Sequence, residues 1–159
     1  MKRRKINTRY LSERVPSEVG SMTMRAEDFA TTIRDFANEY LDGALDVEIR
    51  GESHGNVKAS TSLVAYVIRM MLEIVEEDEF LHLTIDLGDN LTMTVSFDKM
   101  PELSNLAKLV NTFRMAGFRA VRDGNTFSFS LKITDSAILR VYALSPDEFR
   151  QDMREIFFM

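Results

Sequence analysis

The sequence predicts an α+β two-layer sandwich: a mixed, mostly antiparallel sheet with three helices on one face, followed by a C-terminal strand and short helix. Three observations predict it. The stretch Ser60–Glu77, STSLVAYVIRMMLEIVEE, is too long for a strand and contains neither Gly nor Pro. Two pairs of alternating apolar and polar segments are joined by short links of Gly, Asp and Asn, which reads as two hairpins. These hairpins are interleaved with helical periodicities, and such an order builds an antiparallel sheet covered by helices.

At 159 residues the chain has room for one substantial core, and its 45% hydrophobic content is that of an ordinary globular protein. Residues 1–20 read as a basic, poorly ordered leader, 21–133 as the domain and 134–159 as an extension. With no Cys there is no disulfide framework, thiol nucleophile or thiolate metal site. That composition fits a reducing compartment, and the expected location is the cytoplasm of a bacterial-type cell. No segment has the length of a membrane span, and no apolar stretch follows the basic start in the manner of a secretion signal.

Charge is unevenly spread. Residues 1–14 hold six Lys/Arg and one Glu, a net of +5, which leaves −10 on the remainder. An acidic body repels a phosphate backbone, so no nucleic-acid partner is expected for it. The leader reads either as a solvated terminus or as a contact for nucleic acid or anionic lipid.

Taken in order, a short strand is expected at Ser21–Met24. A helix over Ala26–Leu41 follows, because Phe29, Ile33, Phe36, Ala37, Tyr40 and Leu41 recur at helical spacing, and Gly43 is free to take a left-handed cap. Leu45, Val47 and Ile49 alternate with Asp46, Glu48 and Arg50 as a half-buried strand. Val57–Ala59 offers a further strand.

The central helix takes Ser60 as N-cap. Its apolar face, led by Leu63, Val64, Val67, Met70, Met71, Ile74 and Val75, is wide enough to require cover on most sides. Only Arg69, Glu73, Glu76 and Glu77 form a polar stripe. The first hairpin pairs Phe80–Asp86 with Leu91–Phe97. Pro101 suits the first position of a helix over Glu102–Ala116, which Gly117 ends. The second hairpin pairs Phe118–Arg122 with Thr126–Ile133 around Asp123-Gly124-Asn125.

In the extension, Ile138–Leu144 reads as a strand. Ser145-Pro146-Asp147-Glu148 is a helix start with a Ser cap, Pro in first position and Glu in the capping-box position. The helix it opens presents Phe149, Met153, Ile156 and Phe157 on one side. That side either packs on its own domain or forms a partner surface, with a homodimer through this helix as one form of it.

Residues Ser21 to Ile133 resemble the ATPase domain of bacterial histidine kinases and anti-sigma kinases, the GHKL superfamily. Val67-Ile68-Arg69-Met70-Met71-Leu72-Glu73-Ile74-Val75 is similar to the N-box pattern x-hydrophobic-x-Asn-Leu-hydrophobic-x-Asn-Ala. Asn125-Thr126-Phe127-Ser128-Phe129-Ser130-Leu131 resembles the final G-T-x-F-x-hydrophobic strand, with Asn125 in place of Gly. The resemblance implies a Bergerat-like fold with a helix and strand before the N-box helix, then a hairpin, a lid, a helix and a closing hairpin.

It also implies a nucleotide site that this sequence departs from. The first polar N-box position falls on Met70, and the magnesium-ligating Asn falls on Ile74. Magnesium takes hard oxygen ligands, and neither side chain has one. The adenine-reading Asp falls near Phe97, with Asp98 one residue late and so turned to the other side of a persisting strand. Ser96–Pro101 contains no Gly, and no Gly-rich lid precedes the third helix. The expectation is a scaffold without nucleotide, magnesium or other cofactor. It would serve as a non-catalytic regulatory or protein-interaction module in bacterial signalling. The alternatives are an active ATP-dependent protein kinase with divergent motifs, and an unrelated α/β sandwich.

Other constellations are weaker. His82 is expected on a strand, facing opposite to Leu81 and Leu83, and His54 in a loop. Two His without Cys would need carboxylates to hold a metal. Asp86, Asp89 and Asp98 are candidates to gather at one end of the first hairpin, or are simply solvated. The acidic run of Glu73, Glu76, Glu77, Asp78 and Glu79 reads as a solubilising edge or as a docking patch for a basic partner. Ser60-Thr61-Ser62 lies near His54 but has no nucleophile-elbow glycines.

Overall fold

Residues 22–75, 79–134 and 145–158 are described by a computed structural model. The leader, Glu76–Asp78 of the acidic run and the Ile138–Leu144 strand lie outside the described residues. The elements run β1 (Met22–Arg25), α1 (Ala26–Tyr40), β2 (Leu45–Gly51), β3 (Asn56–Ala59), α2 (Thr61–Ile74), β4 (Leu81–Leu87), β5 (Asn90–Ser96), α3 (Leu103–Met115), β6 (Arg119–Asp123), β7 (Thr126–Lys132) and α4 (Pro146–Phe158).

Five strands form one sheet in the order β2-β4-β5-β7-β6. Only β2 and β4 are parallel, paired from Leu45↔Leu81 to Gly51↔Leu87, and the others are antiparallel. This is the mixed, mostly antiparallel sheet that the sequence predicts. The alternation of each strand sorts its side chains to two faces. Leu45, Leu83, Ile85, Met93, Val95, Phe127 and Phe129 are buried on one face. Asp46, Glu48, His82, Thr92, Thr94, Ser128 and Ser130 stand on the other, where Thr and Ser pair across strands β5 and β7.

β1 and β3 form a separate antiparallel pair outside the main sheet. Asn56 extends this pair by a bridge to Thr134 just beyond β7. Where β2 ends, Gly51 takes φ +79°, and a Cβ there would stand 2.2 Å from the Leu87 carbonyl oxygen. Only a residue without a side chain fits so close a strand approach.

α1 buries Phe29, Ile33, Phe36 and Ala37, the stripe its periodicity defines. Its left-handed exit begins one residue earlier than expected: Asp42 has φ +46° and Gly43 φ +81°. Ser60 holds the N-cap position of α2 with extended backbone, but its side chain makes no cap hydrogen bond. It is buried, and its N–H donates to the Ala116 carbonyl across 3.2 Å. α3 starts at Leu103 rather than on Pro101, because Glu102 remains extended at ψ 145° and the helical ladder opens with Leu106 N–H donating to Glu102 O.

α4 is the fourth helix of the layer. Its capping box forms as predicted: Glu148 N–H donates to Ser145 Oγ at 3.2 Å, and the Glu148 carboxylate accepts from Ser145 N–H at 3.4 Å. The helix packs against both α2 and α1. This cover explains how α2 buries almost its whole circumference, with the sheet on one side and α4 on another. Thr61 and every residue from Leu63 to Leu72 are buried.

Candidate functional site

The region where the resemblance places a nucleotide site is built on the second half of α2. Met70 is 1% exposed, and Ile74 packs partly buried against the core. They lie four residues apart and so on one face of the helix. At the end of β5, Phe97 is buried and meets Phe127 edge-on at 5.7 Å. Its N–H donates to Asn125 O, which ties it to the β6–β7 turn. Asp98 is exposed beyond the strand. Only Phe97–Glu102 separate β5 from α3. These six residues are too few for a long lid.

The neighbouring face of α2 carries Arg69 and Glu73. The sequence reading puts both on a polar stripe and Glu73 on a solubilising edge or docking patch; the structure buries both side chains. Arg69 is 2% exposed, although it is the bulkiest side chain in the fully buried set. Its Nε donates to Glu73 Oε1 at 2.9 Å, and its Nη1 donates to the Ile156 carbonyl of α4 at 2.6 Å. Carbonyls in the last turn of a helix have no intrahelical donor and carry the negative end of the helix dipole. A buried guanidinium satisfies one of them and gains a partner for its charge.

Desolvation by burial raises the Glu73 carboxyl above its ordinary range. The hydrogen bond and charge of Arg69, and the charge of Lys108, pull it back only in part. Among the described residues, Arg69 Nη2 and Glu73 Oε2 have no hydrogen-bond partner.

The other contacts of α4 are mostly aromatic. Phe149 stacks on Phe29 at 5.2 Å, Phe157 meets Phe36 at 5.3 Å, and Phe158 lies 5.8 Å from Tyr40. The Arg154 guanidinium lies over the Tyr40 ring, and Thr61 Oγ1 donates to Asp152 Oδ2 at 2.6 Å. Phe149, Met153 and Phe157 are thus buried within their own chain, and Ile156 is partly buried beside them. The apolar face offered by the sequence as a partner or homodimer surface is occupied by α1 and α2. Of the two readings of that face, packing on its own domain is the one the structure adopts. The sequence signal for this seat was an Arg–Glu pair at four-residue spacing inside an otherwise apolar helix.

The remaining candidates do not assemble. His82 and Asp46 lie on adjacent strands of the polar sheet face, with Nδ1 2.8 Å from Asp46 Oδ2 and Nε2 3.5 Å from Glu48 Oε2, and all three are well exposed. His54 is exposed in its loop. Asp89 sits in the β4–β5 turn, whereas Asp98 follows the far end of β5, so the three Asp do not gather at one end of the hairpin. Among the described residues, no group of three His, Asp or Glu is placed to hold a metal ion. No helix among them is long and apolar enough to cross a membrane.

No protein-family pattern matches the chain, and no curated protein is significantly similar to it. Comparison with solved structures finds the catalytic domain of histidine kinase ThkA. Two nucleotide-free forms of that domain superpose with a TM-score of 0.44 each, at 13% and 14% identity, covering 72% of this chain and 97% of theirs. The Acinetobacter baumannii histidine kinase AdeS superposes with a TM-score of 0.38 at 11% identity, covering 80% of this chain and 73% of its own.

Proposed function

We propose that this chain is a non-catalytic regulatory or protein-interaction module, built on a histidine-kinase-type ATPase scaffold that no longer holds nucleotide or magnesium. The order of elements in the structure is the order that the resemblance implies, from the helix and strand before α2 to the closing β6–β7 hairpin. One observation carries the reading. The two α2 positions that would have to present polar ligands are a buried methionine and an isoleucine, Met70 and Ile74. A thioether and a hydrocarbon give magnesium no oxygen. The buried Phe97 and the short run to α3 agree with it.

A scaffold relieved of nucleotide chemistry retains a use in contact with other proteins, as in bacterial signalling. Thermal melts of the full chain with millimolar ATP or ADP and magnesium test the reading. A ligand at 100 times its dissociation constant stabilises a fold by about 2.7 kcal/mol. No shift in melting temperature is expected. A saturable upward shift would overturn this reading and favour the competing one, an ATP-dependent kinase with divergent motifs.

A further inference from the structure

The exposed rim of the sheet ends on β6, whose five residues read Arg119-Ala120-Val121-Arg122-Asp123. Among the described residues β6 pairs with β7 alone. An open edge presents unpaired backbone N–H and C=O groups to any strand of matching register. Val121, at the middle of this edge strand, is 57% exposed.

The hairpin geometry defines which groups face outward. Asp123 pairs with Thr126 across the two-residue loop Gly124-Asn125, and Gly124 has φ +61° at the first loop position. A two-residue loop closes on a hydrogen-bonded pair, and such pairs alternate along an antiparallel ladder. Asp123, Val121 and Arg119 therefore bond to β7, and the backbone groups of Ala120 and Arg122 face the open edge.

The side chains follow the same alternation. Ala120 and Arg122 lie on the face of Phe129 and Phe127, their register partners. Arg122 is held there, with its guanidinium 5.8 Å from the Phe127 ring centroid and Nη2 3.5 Å from Met100 Sδ. Arg119, Val121 and Asp123 share the opposite face, and all three are exposed.

We propose that β6 is a self-association edge, which joins two copies of this chain across a two-fold axis at Val121 into one continuous ten-stranded sheet. An antiparallel copy of β6 centred on Val121 places Val121 against its own equivalent. It places Arg119 against Asp123 of the second copy, and symmetry repeats that ion pair on the other side. The outward backbone groups of Ala120 and Arg122 meet each other in the same register. The sequence of the edge is thus complementary to itself in charge and in backbone pairing. Cross-strand pairs of opposite charge stabilise such a ladder, and like charges directly opposite destabilise it. An interface of one five-residue strand is small, so the dimer is a weak one.

Sedimentation velocity of the full chain over a range of concentrations tests this. The wild type is expected to show a concentration-dependent dimer. Arg119→Asp and Asp123→Arg each set like charges opposite one another and are expected to weaken it by about tenfold. The double variant Arg119→Asp/Asp123→Arg restores the opposite pairing and is expected to restore the dimer. Thermal melts confirm that each variant is folded. A monomeric wild type at all concentrations would overturn the proposal. So would a dimer that the single changes leave intact, or one that the double variant fails to recover.

Discussion

The Arg69 guanidinium donates to the backbone carbonyl of Ile156 across 2.6 Å, joining the middle of α2 to the last turn of α4. The same side chain holds Glu73 at 2.9 Å. A single buried cation thus fastens the C-terminal helix, neutralises a buried carboxylate and seals the outer face of the central helix.

Removing one member of that pair leaves the other charged and unpaired in the core. Arg69→Ala is expected to lower the unfolding free energy by about 3–5 kcal/mol. The double variant Arg69→Leu/Glu73→Leu replaces both charges by apolar side chains and is expected to recover most of that loss. Urea denaturation of the three proteins measures both steps. A single variant as stable as wild type would show that the pair has no such role.

Burial makes the stability of the protein depend on pH through Glu73. The folded chain holds the Glu73 proton more tightly than the unfolded chain does, because its carboxyl is raised. The penalty for ionising it is absent below the unfolded pKa and grows as pH rises toward and through the folded value. Glu73→Gln removes that titration. The stability of the wild type relative to Glu73→Gln is therefore expected to fall as pH rises above the ordinary Glu pKa of about 4. A difference that stays flat or rises with pH would contradict this assignment.

Gly51 marks the end of the only parallel strand pair among the described residues. With φ at +79° and the Leu87 carbonyl oxygen 2.2 Å from the position of an added Cβ, Gly51→Ala strains both backbones. A loss of about 1–3 kcal/mol is expected. Gly43 shares the left-handed conformation but has open space around it, so Gly43→Ala carries the conformational cost without the clash. Chemical denaturation that ranks Gly51→Ala as the milder change would be inconsistent with the close approach.

The seat of α4 makes a different demand on Phe157. On a dimer surface, Phe157→Glu would separate two folded chains. In a seat that is 0% exposed beside Phe36, it places a carboxylate among aromatic rings. The expected outcome is a large loss of stability, with a lower melting temperature at every protein concentration. A fully stable Phe157→Glu protein would mean that α4 is not held as described.

The sequence revealed the elements far better than their assembly. Short-range rules place α1 by its stripe of Phe29, Ile33 and Phe36, the strands by alternation, and the start of α4 by Ser145 and Glu148. Each of these signals lies within a few residues of the feature it specifies. The surroundings of Arg69 depend on Ile156, which is 87 positions away. Nothing local to either residue specifies their meeting. A charged residue on a helix reads as solvated until a distant segment is known to cover it. The same limit applies to the face of Phe149, Met153 and Phe157, whose apolar character is legible while the identity of its cover is not. For the site itself, the apolar identity of Met70 and Ile74 is legible in the sequence. Their burial follows from the fold.

Isothermal titration of the full chain with ATP and magnesium reads the central claim most directly. If the positions held by Met70 and Ile74 leave a triphosphate and its metal without ligands, millimolar nucleotide will produce only heats of dilution. A saturable isotherm of defined stoichiometry, lost on omission of magnesium, would contradict the account.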